Sequence, residues 1–346
     1  MINVFLKITL IVLLFSLTAC NTDNNSSHYK LYNDNLPHYV IKDEPRFKDA
    51  WHFAYDEKFA RDYDINSDAH IDIEEAWRIT RGAGVVVAII DSGSFEVSHE
   101  DLKENIIDTH NTNYDNKNVS VKYDNPQIDG HGLAVAGFVA SPANGKGLVG
   151  AAPEAKLVLI QIGGSDESIL KAFIYAKNSG AKIINCSWGT ENISPIIANY
   201  LQELKDDGIT IVFASGNNGY DFDYRRGKDV SELPSVIGVG ASNELNKQAN
   251  YSNYGENIDI LAPGGNINTS KGILALFENN SYAYTNGTSI AAPITAGIIA
   301  LMLSVNSSLT PDQIREILIQ SSDKISRYSI GKINATNAVK LAKEYL

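Results

Sequence analysis

The chain has 346 residues, 44% of them hydrophobic and 20% charged, with two cysteines and a formal charge of -12. That length gives one large or two modest domains with room for a substantial core, and the composition excludes disordered and collagen-like chains. The acidic balance argues against a nucleic-acid binder, which needs a basic face; Cys20 and Cys186 are too few for a disulfide scaffold or a cysteine zinc cluster.

At the start, Lys7 precedes an apolar stretch over residues 8–17. It is too short for a hydrocarbon core, which needs about twenty residues, and it has the layout of a secretory signal peptide. The end of it, Leu17-Thr18-Ala19-Cys20, resembles a bacterial lipobox. That resemblance implies cleavage before Cys20, a diacylglyceryl thioether on its sulfur and N-acylation. Acyl chains contribute about 0.8 kcal/mol per buried methylene, enough to anchor a domain on a membrane. The expected organisation is a signal peptide over residues 1–19, a lipidated Cys20 with a polar tether over 20–44, and one domain over 45–346. Cys186 is then left alone, after Ile183-Ile184-Asn185, where a buried strand would use its thiol as a small hydrophobe.

From residue 71 onward short apolar runs alternate with helical periods. Residues 85–90, 157–162, 182–186, 209–214 and 235–239 are continuous apolar runs of the kind buried on both faces of a sheet. Residues 167–178 and 195–205 have helical spacing, as do 289–305, 311–320 and 334–346; Thr310 caps the fourth of these, with Pro311 at its first position. This alternation predicts an α/β fold of three layers, a mostly parallel central sheet with helices on both faces. Ligands of such sheets bind beyond the carboxyl ends of the strands. Asp91, Ser187 and Asn217 all fall there.

Three segments carry chemistry: Val86-Val-Ala-Ile-Ile-Asp91-Ser-Gly93, Asp129-Gly-His131-Gly-Leu-Ala-Val-Ala-Gly137 and Asn286-Gly-Thr-Ser289-Ile-Ala-Ala-Pro293. Each alone is ordinary: an acid at a strand end, a loop histidine, a helix-start serine. Together they supply a carboxylate, an imidazole and a hydroxyl, the set that nucleophilic acyl transfer requires. These segments resemble the three signatures of the subtilisin-like serine proteases, in that family's order of Asp, His and Ser. The resemblance runs from about residue 45 to the end and implies the subtilisin-like version of the fold. It implies Ser289 as nucleophile, His131 as general base and then acid, and Asp91 as its orienter, with no cofactor for catalysis. Phe213-Ala-Ser-Gly-Asn217-Asn-Gly219 resembles the family's oxyanion loop, with Asn217 as side-chain donor. Ser187-Trp188-Gly189 resembles the wall of the primary side-chain pocket, where an extended peptide pairs with the protein backbone. The pocket floor is expected over residues 220–233, which carry Asp221 and Asp223 beside Arg225, Arg226 and Lys228. Both signs are present, so the preferred side chain is left open.

The chain departs from the family in two places. The His segment normally reads His-Gly-Thr-His-Val-Ala-Gly, and here Leu133 and Ala134 replace the threonine and second histidine; tuned rather than abolished activity is expected. Barely forty residues separate Cys20 from the peptidase, short for an inhibitory propeptide, so folding without a chaperone segment or with a trans folding factor is expected. The loop over residues 141–150, with Asn144 and Asp101, matches the family's calcium site and implies a possible structural calcium bound by hard oxygen donors. The expected partners are protein or peptide substrates and a membrane reached through the lipid anchor. A catalytically silent fold used as a surface binding protein is the alternative, and a protease maturing one specific precursor is another.

Overall fold

The computed structural model describes residues 41–122, 124–125, 128–189, 193–225, 228–268, 272–325 and 330–345. The signal peptide, Cys20, nearly all of the tether and Arg226 lie outside the described residues.

Two short helices lead in: α1 (Glu57–Tyr63), capped by Asp56 accepting from Phe59 N at 2.7 Å, and α2 (Glu74–Ile79). Then follow β1 (Val86–Asp91), β2 (Ile106–Asn111), α3 (His131–Ala140), β3 (Lys156–Gln161), α4 (Asp166–Asn178), β4 (Ile183–Cys186), α5 (Pro195–Asp206) and β5 (Thr210–Ala214). After β6 (Ile237–Ser242) and β7 (Ile260–Pro263), a hairpin of β8 (Ile273–Phe277) and β9 (Ser281–Thr285) leads into α6 (Thr288–Val305). The chain closes with α7 (Pro311–Ser321), the two-residue strands β10 (Asp323–Lys324) and β11 (Gly331–Lys332), and α8 (Ala335–Glu344).

The sheet has nine strands in the order β10-β11-β7-β6-β5-β4-β1-β3-β2. Every pair is parallel except β10 with β11. Side chains alternate between the faces with the period of two that a strand imposes. Val87 and Ile89 of β1, with Val212 and Ala214 of β5, join the core beneath α3, α6 and α8. Ala88, Ile90, Ile211 and Phe213 join the opposite core under α4 and α5. The three expected layers are therefore present. Cys186 is a free, buried member of the second core, and burial pushes its thiol well above the usual range.

α6 is long and apolar enough to cross a membrane, yet its window is 83% buried: it is the central core helix. The expected elements recur with ends shifted by at most three residues, the largest shift being that of the strand expected over 235–239 and found at Ile237–Ser242; the last helix stops at Glu344. The strands without a clear apolar run are those at margins. β2 is the sheet edge, with Ile107 exposed and Asp108, Thr109, His110 and Asn111 following it. The β8–β9 hairpin turns through Asn279 and Asn280, both in the left-handed region that asparagine tolerates.

What places the site is the strand order. From β1 the chain proceeds to β2 and β3 on one side, and then crosses to β4 on the other. A crevice forms at such a reversal, beyond the carboxyl ends. Ile90 pairs with Cys186, so Asp91 and Ser187 emerge next to one another at that point.

Candidate active site

Asp91 ends β1 and is 1% exposed. Its Oδ1 accepts from Gly93 N at 2.7 Å, and its two oxygens lie 3.0 and 2.9 Å from His131 Nδ1. His131 is the first residue of α3, preceded by Gly130 in the left-handed region, and its side chain is 28% exposed. Burial alone would lower the imidazole's pKa, but the charge and hydrogen bond of Asp91 outweigh it and hold the ring above its ordinary 6.5. The histidine is thus a base with one nitrogen fixed and one edge facing solvent.

Ser289 sits in the first turn of α6, which packs against α3. Its Oγ makes no hydrogen bond among the described residues. Gly287, just before the helix, has φ +146°, a conformation open to glycine. A Cβ there would lie 3.1 Å from Ser289 Oγ and 3.3 Å from Asn217 Nδ2. The hydroxyl and the amide donor therefore face the same small volume. The Asn217 carboxamide is aimed by its oxygen, which accepts from Thr288 N at 2.9 Å and Thr288 Oγ1 at 3.0 Å. Thr288 Oγ1 in turn accepts from Gly216 N at 3.0 Å. Thr288 is a positioning residue that sequence reasoning passed over; its place between Gly287 and Ser289 was the available signal.

Pro293 explains the role of Ser187. Proline has no N–H, so inside α6 it leaves the carbonyl four residues earlier without its helical donor. That carbonyl belongs to Ser289, and the Ser187 hydroxyl donates to it at 2.9 Å. A buried carbonyl left unpaired costs about 1–3 kcal/mol, so this single bond tethers the first turn of α6 to the end of β4.

Trp188 donates from Nε1 to Ile90 O at 2.9 Å and meets Phe213 edge-on at 5.1 Å between centroids. Besides packing there, with Gly189, Ile128, Ile162 and Ile169 it lines an open cleft of about 580 Å³. Leu133 is fully buried, and Ala134 packs partly exposed against the same core. The two departures in the His segment thus serve packing and leave the Asp91–His131 bond intact.

Asp101 is fully buried some way from these groups. Its Oδ2 accepts from Leu148 N at 2.7 Å, while Oδ1 is buried with no hydrogen-bond partner, and burial pushes the carboxyl up to about 8. The Glu44 carboxylate, unnoticed in the sequence, reaches the same loop through Gly145 N at 3.0 Å. Asn144 lies there too, its Oδ1 accepting from Lys146 N and its Nδ2 donating to Glu100 O. Among the described residues no group of three or more His, Cys, Asp or Glu converges. A cation here would depend on Asp101, Glu44 and amide or carbonyl oxygens, a donor set that fits calcium.

An Asp–His pair, a helix-start serine and an aimed amide thus meet at the carboxyl edge of a parallel sheet, the groups by which serine acyl-transfer sites are recognised on several folds. The chain belongs to the subtilase family, whose model matches residues 82–340. It is 34% identical over 275 residues to the thermophilic serine proteinase of Bacillus sp. (strain AK1), covering 76% of this chain and 64% of that protein. It is 30% identical over 338 residues to the calcium-dependent protease of Trichormus variabilis (strain ATCC 29413 / PCC 7937), covering 79% of this chain and 49% of that one. The chain thus spans less than two thirds of both relatives. Among solved structures it resembles a protease from Pseudoalteromonas arctica PAMC 21717, with a TM-score of 0.74 and 28% identity, covering 87% of this chain and 99% of that one.

Proposed function

We propose that the protein is an exported, membrane-anchored endopeptidase that cleaves peptide bonds through an acyl-enzyme on Ser289. The observation that carries this reading is the buried Asp91 carboxylate 2.9 Å from His131 Nδ1, in a chain whose nucleophile and oxyanion donor face one volume. His131 Nε2 takes the proton from Ser289 Oγ as the hydroxyl attacks the substrate carbonyl. The proton on Nδ1 stays on the ring, donated in a hydrogen bond to the ionised Asp91, which supports the imidazolium that forms. The tetrahedral oxygen receives hydrogen bonds from Asn217 Nδ2 and from Ser289 N at the start of α6, where the helix dipole also favours negative charge. His131 then protonates the leaving amine, the acyl-enzyme forms, and water, deprotonated by the same histidine, releases the acid.

Incubating the full chain with a denatured protein tests the function: internal cleavage fragments are expected, and an intact substrate would refute it. Asn217→Ala should lower kcat by about 10² to 10³, the scale known for the equivalent donor in subtilisin, with KM little changed. A loss appearing only in KM would remove Asn217 from the oxyanion site.

Calcium, where bound by Asp101, Glu44 and Asn144, acts on stability rather than chemistry, neutralising a buried carboxylate and tying the loop over residues 141–150. The Trichormus relative, named a calcium-dependent protease, supports that reading. Chelator should lower the Tm by several degrees, since a ligand at a hundredfold excess over its Kd contributes about 2.7 kcal/mol. An unmoved Tm would remove the ion. The Leu17-Thr18-Ala19-Cys20 segment supports the anchor. Parent protein should sediment with membranes and Cys20→Ser should not; equal partition of the two would refute lipidation.

A further inference from the structure

An oxyanion donor stabilises charge only if it is already aimed when that charge develops. Thr288 holds the Asn217 carboxamide at its oxygen. The backbone that carries Asn217 is another matter, because residues 215–220 leave β5 as an irregular turn with Gly216 at φ +95° and Gly219 at φ +66°. Such a turn has no helical or strand ladder to satisfy its amides and carbonyls, so its shape depends on a neighbour. That neighbour is the segment between β6 and β7. Gly219 N donates to Tyr251 O at 2.7 Å, Asn253 N to Gly216 O at 3.0 Å and Tyr254 N to Tyr220 O at 2.9 Å.

One side chain of this segment grips the turn on both sides of Asn217. Asn253 is 4% exposed. Its Nδ2 donates to Ser215 O at 2.8 Å, and its Oδ1 accepts from Asn218 N at 3.0 Å and Tyr220 N at 2.9 Å. Its backbone carbonyl also accepts from Ser215 Oγ at 3.0 Å. The approach is close: a Cβ on Gly216 would lie 2.6 Å from Asn253 Nδ2, so only glycine admits the carboxamide there. Asn253 is itself anchored to the sheet. Ser252 Oγ donates to Asn253 O at 3.0 Å and accepts from Ala241 N of β6 at 2.9 Å. These bonds reach residues 215, 216, 218 and 220 and leave Asn217 to Thr288. Asn253 thus fixes where the Asn217 backbone stands, and Thr288 fixes which way its carboxamide turns.

We infer that Asn253 is a positioning residue of the oxyanion site, holding Asn217 in place for the tetrahedral intermediate; the inference rests on the peptidase reading above. Asparagine suits the role because one carboxamide donates and accepts at once. Without it, two backbone amides lose their partner, the turn relaxes, and a donor misplaced by about 1 Å costs about 10²-fold in rate. The test is a double-mutant cycle on the full chain, with a denatured protein carrying self-quenched fluorescein as substrate. Asn253→Ala should lower kcat by about 10- to 100-fold, with KM changed less than about threefold. In an Asn217→Ala background the same substitution should cost less than about threefold, because the donor it serves has gone. Asn253→Asp keeps both acceptor bonds and loses the donor to Ser215 O, so its kcat should fall between parent and alanine variant. It also carries the cycle if the alanine variant fails to fold. A merely structural role would lower kcat by the same factor in both backgrounds, which would overturn the proposal. A loss confined to KM would overturn it too, as would single variants that keep kcat within about threefold of the parent. In each of those cases the parent still cleaves and the peptidase reading stands. A parent that leaves the substrate intact would overturn that reading and this proposal together.

Discussion

Ser289→Ala should abolish turnover, lowering kcat by about 10⁶-fold, the scale known for loss of the nucleophile in subtilisin. The reasoning is chemical. Alanine leaves the Asp91–His131 pair and the Asn217 donor in place, but no atom remains to form the acyl bond. A millionfold loss corresponds to about 8 kcal/mol of barrier. Stability should hardly move, because Ser289 is half-buried and its Oγ makes no hydrogen bond among the described residues. Kinetics with a cleavable peptide, paired with a thermal melt, check both halves. A variant that keeps activity within tenfold would remove Ser289 from the chemistry.

Asp91→Asn should cost about 10⁴-fold in kcat, for a reason visible in the hydrogen bonds. Asp91 Oδ1 accepts from Gly93 N at 2.7 Å. Asparagine keeps an oxygen at that backbone amide, which puts its NH₂ at the position of Oδ2, 2.9 Å from His131 Nδ1. Nδ1 must then accept, the ring proton moves to Nε2, and that nitrogen can no longer take the serine proton. The pH profile supplies a second readout. In the parent, the charge and hydrogen bond of Asp91 hold the imidazole above 6.5 against its burial. Because the neutral ring is the active base, kcat/KM should rise with pH and reach half its plateau above pH 6.5. In the variant the plateau should fall and the midpoint shift to lower pH. An unchanged midpoint would show that Asp91 does not set the base.

Much of this was legible before any coordinates. Asp91 and the core strands announce themselves through apolar runs ending in polar residues, because a strand buried on both faces has no other way to present a polar group; His131 and Ser289 start helices instead and were legible through the segments that resemble the family's signatures. The edge strand β2 was hidden for the converse reason: one side of it meets water, and its polar residues resemble a loop. The Ser187–Ser289 tether follows from the missing N–H of Pro293, yet 102 residues separate the partners, and only the fold shows which hydroxyl fills the gap. Glu44 was missed similarly, since its link to the loop at Gly145 spans 101 residues.

The most direct measurement is to treat the folded protein with a fluorophosphonate, an electrophile that serine nucleophiles attack only when a base and an oxyanion site are assembled around them, and to map the adduct by peptide mass. The account predicts one phosphonylated residue, Ser289, with labelling lost in Ser289→Ala. A folded parent that takes no label, or takes it at another serine, would contradict it.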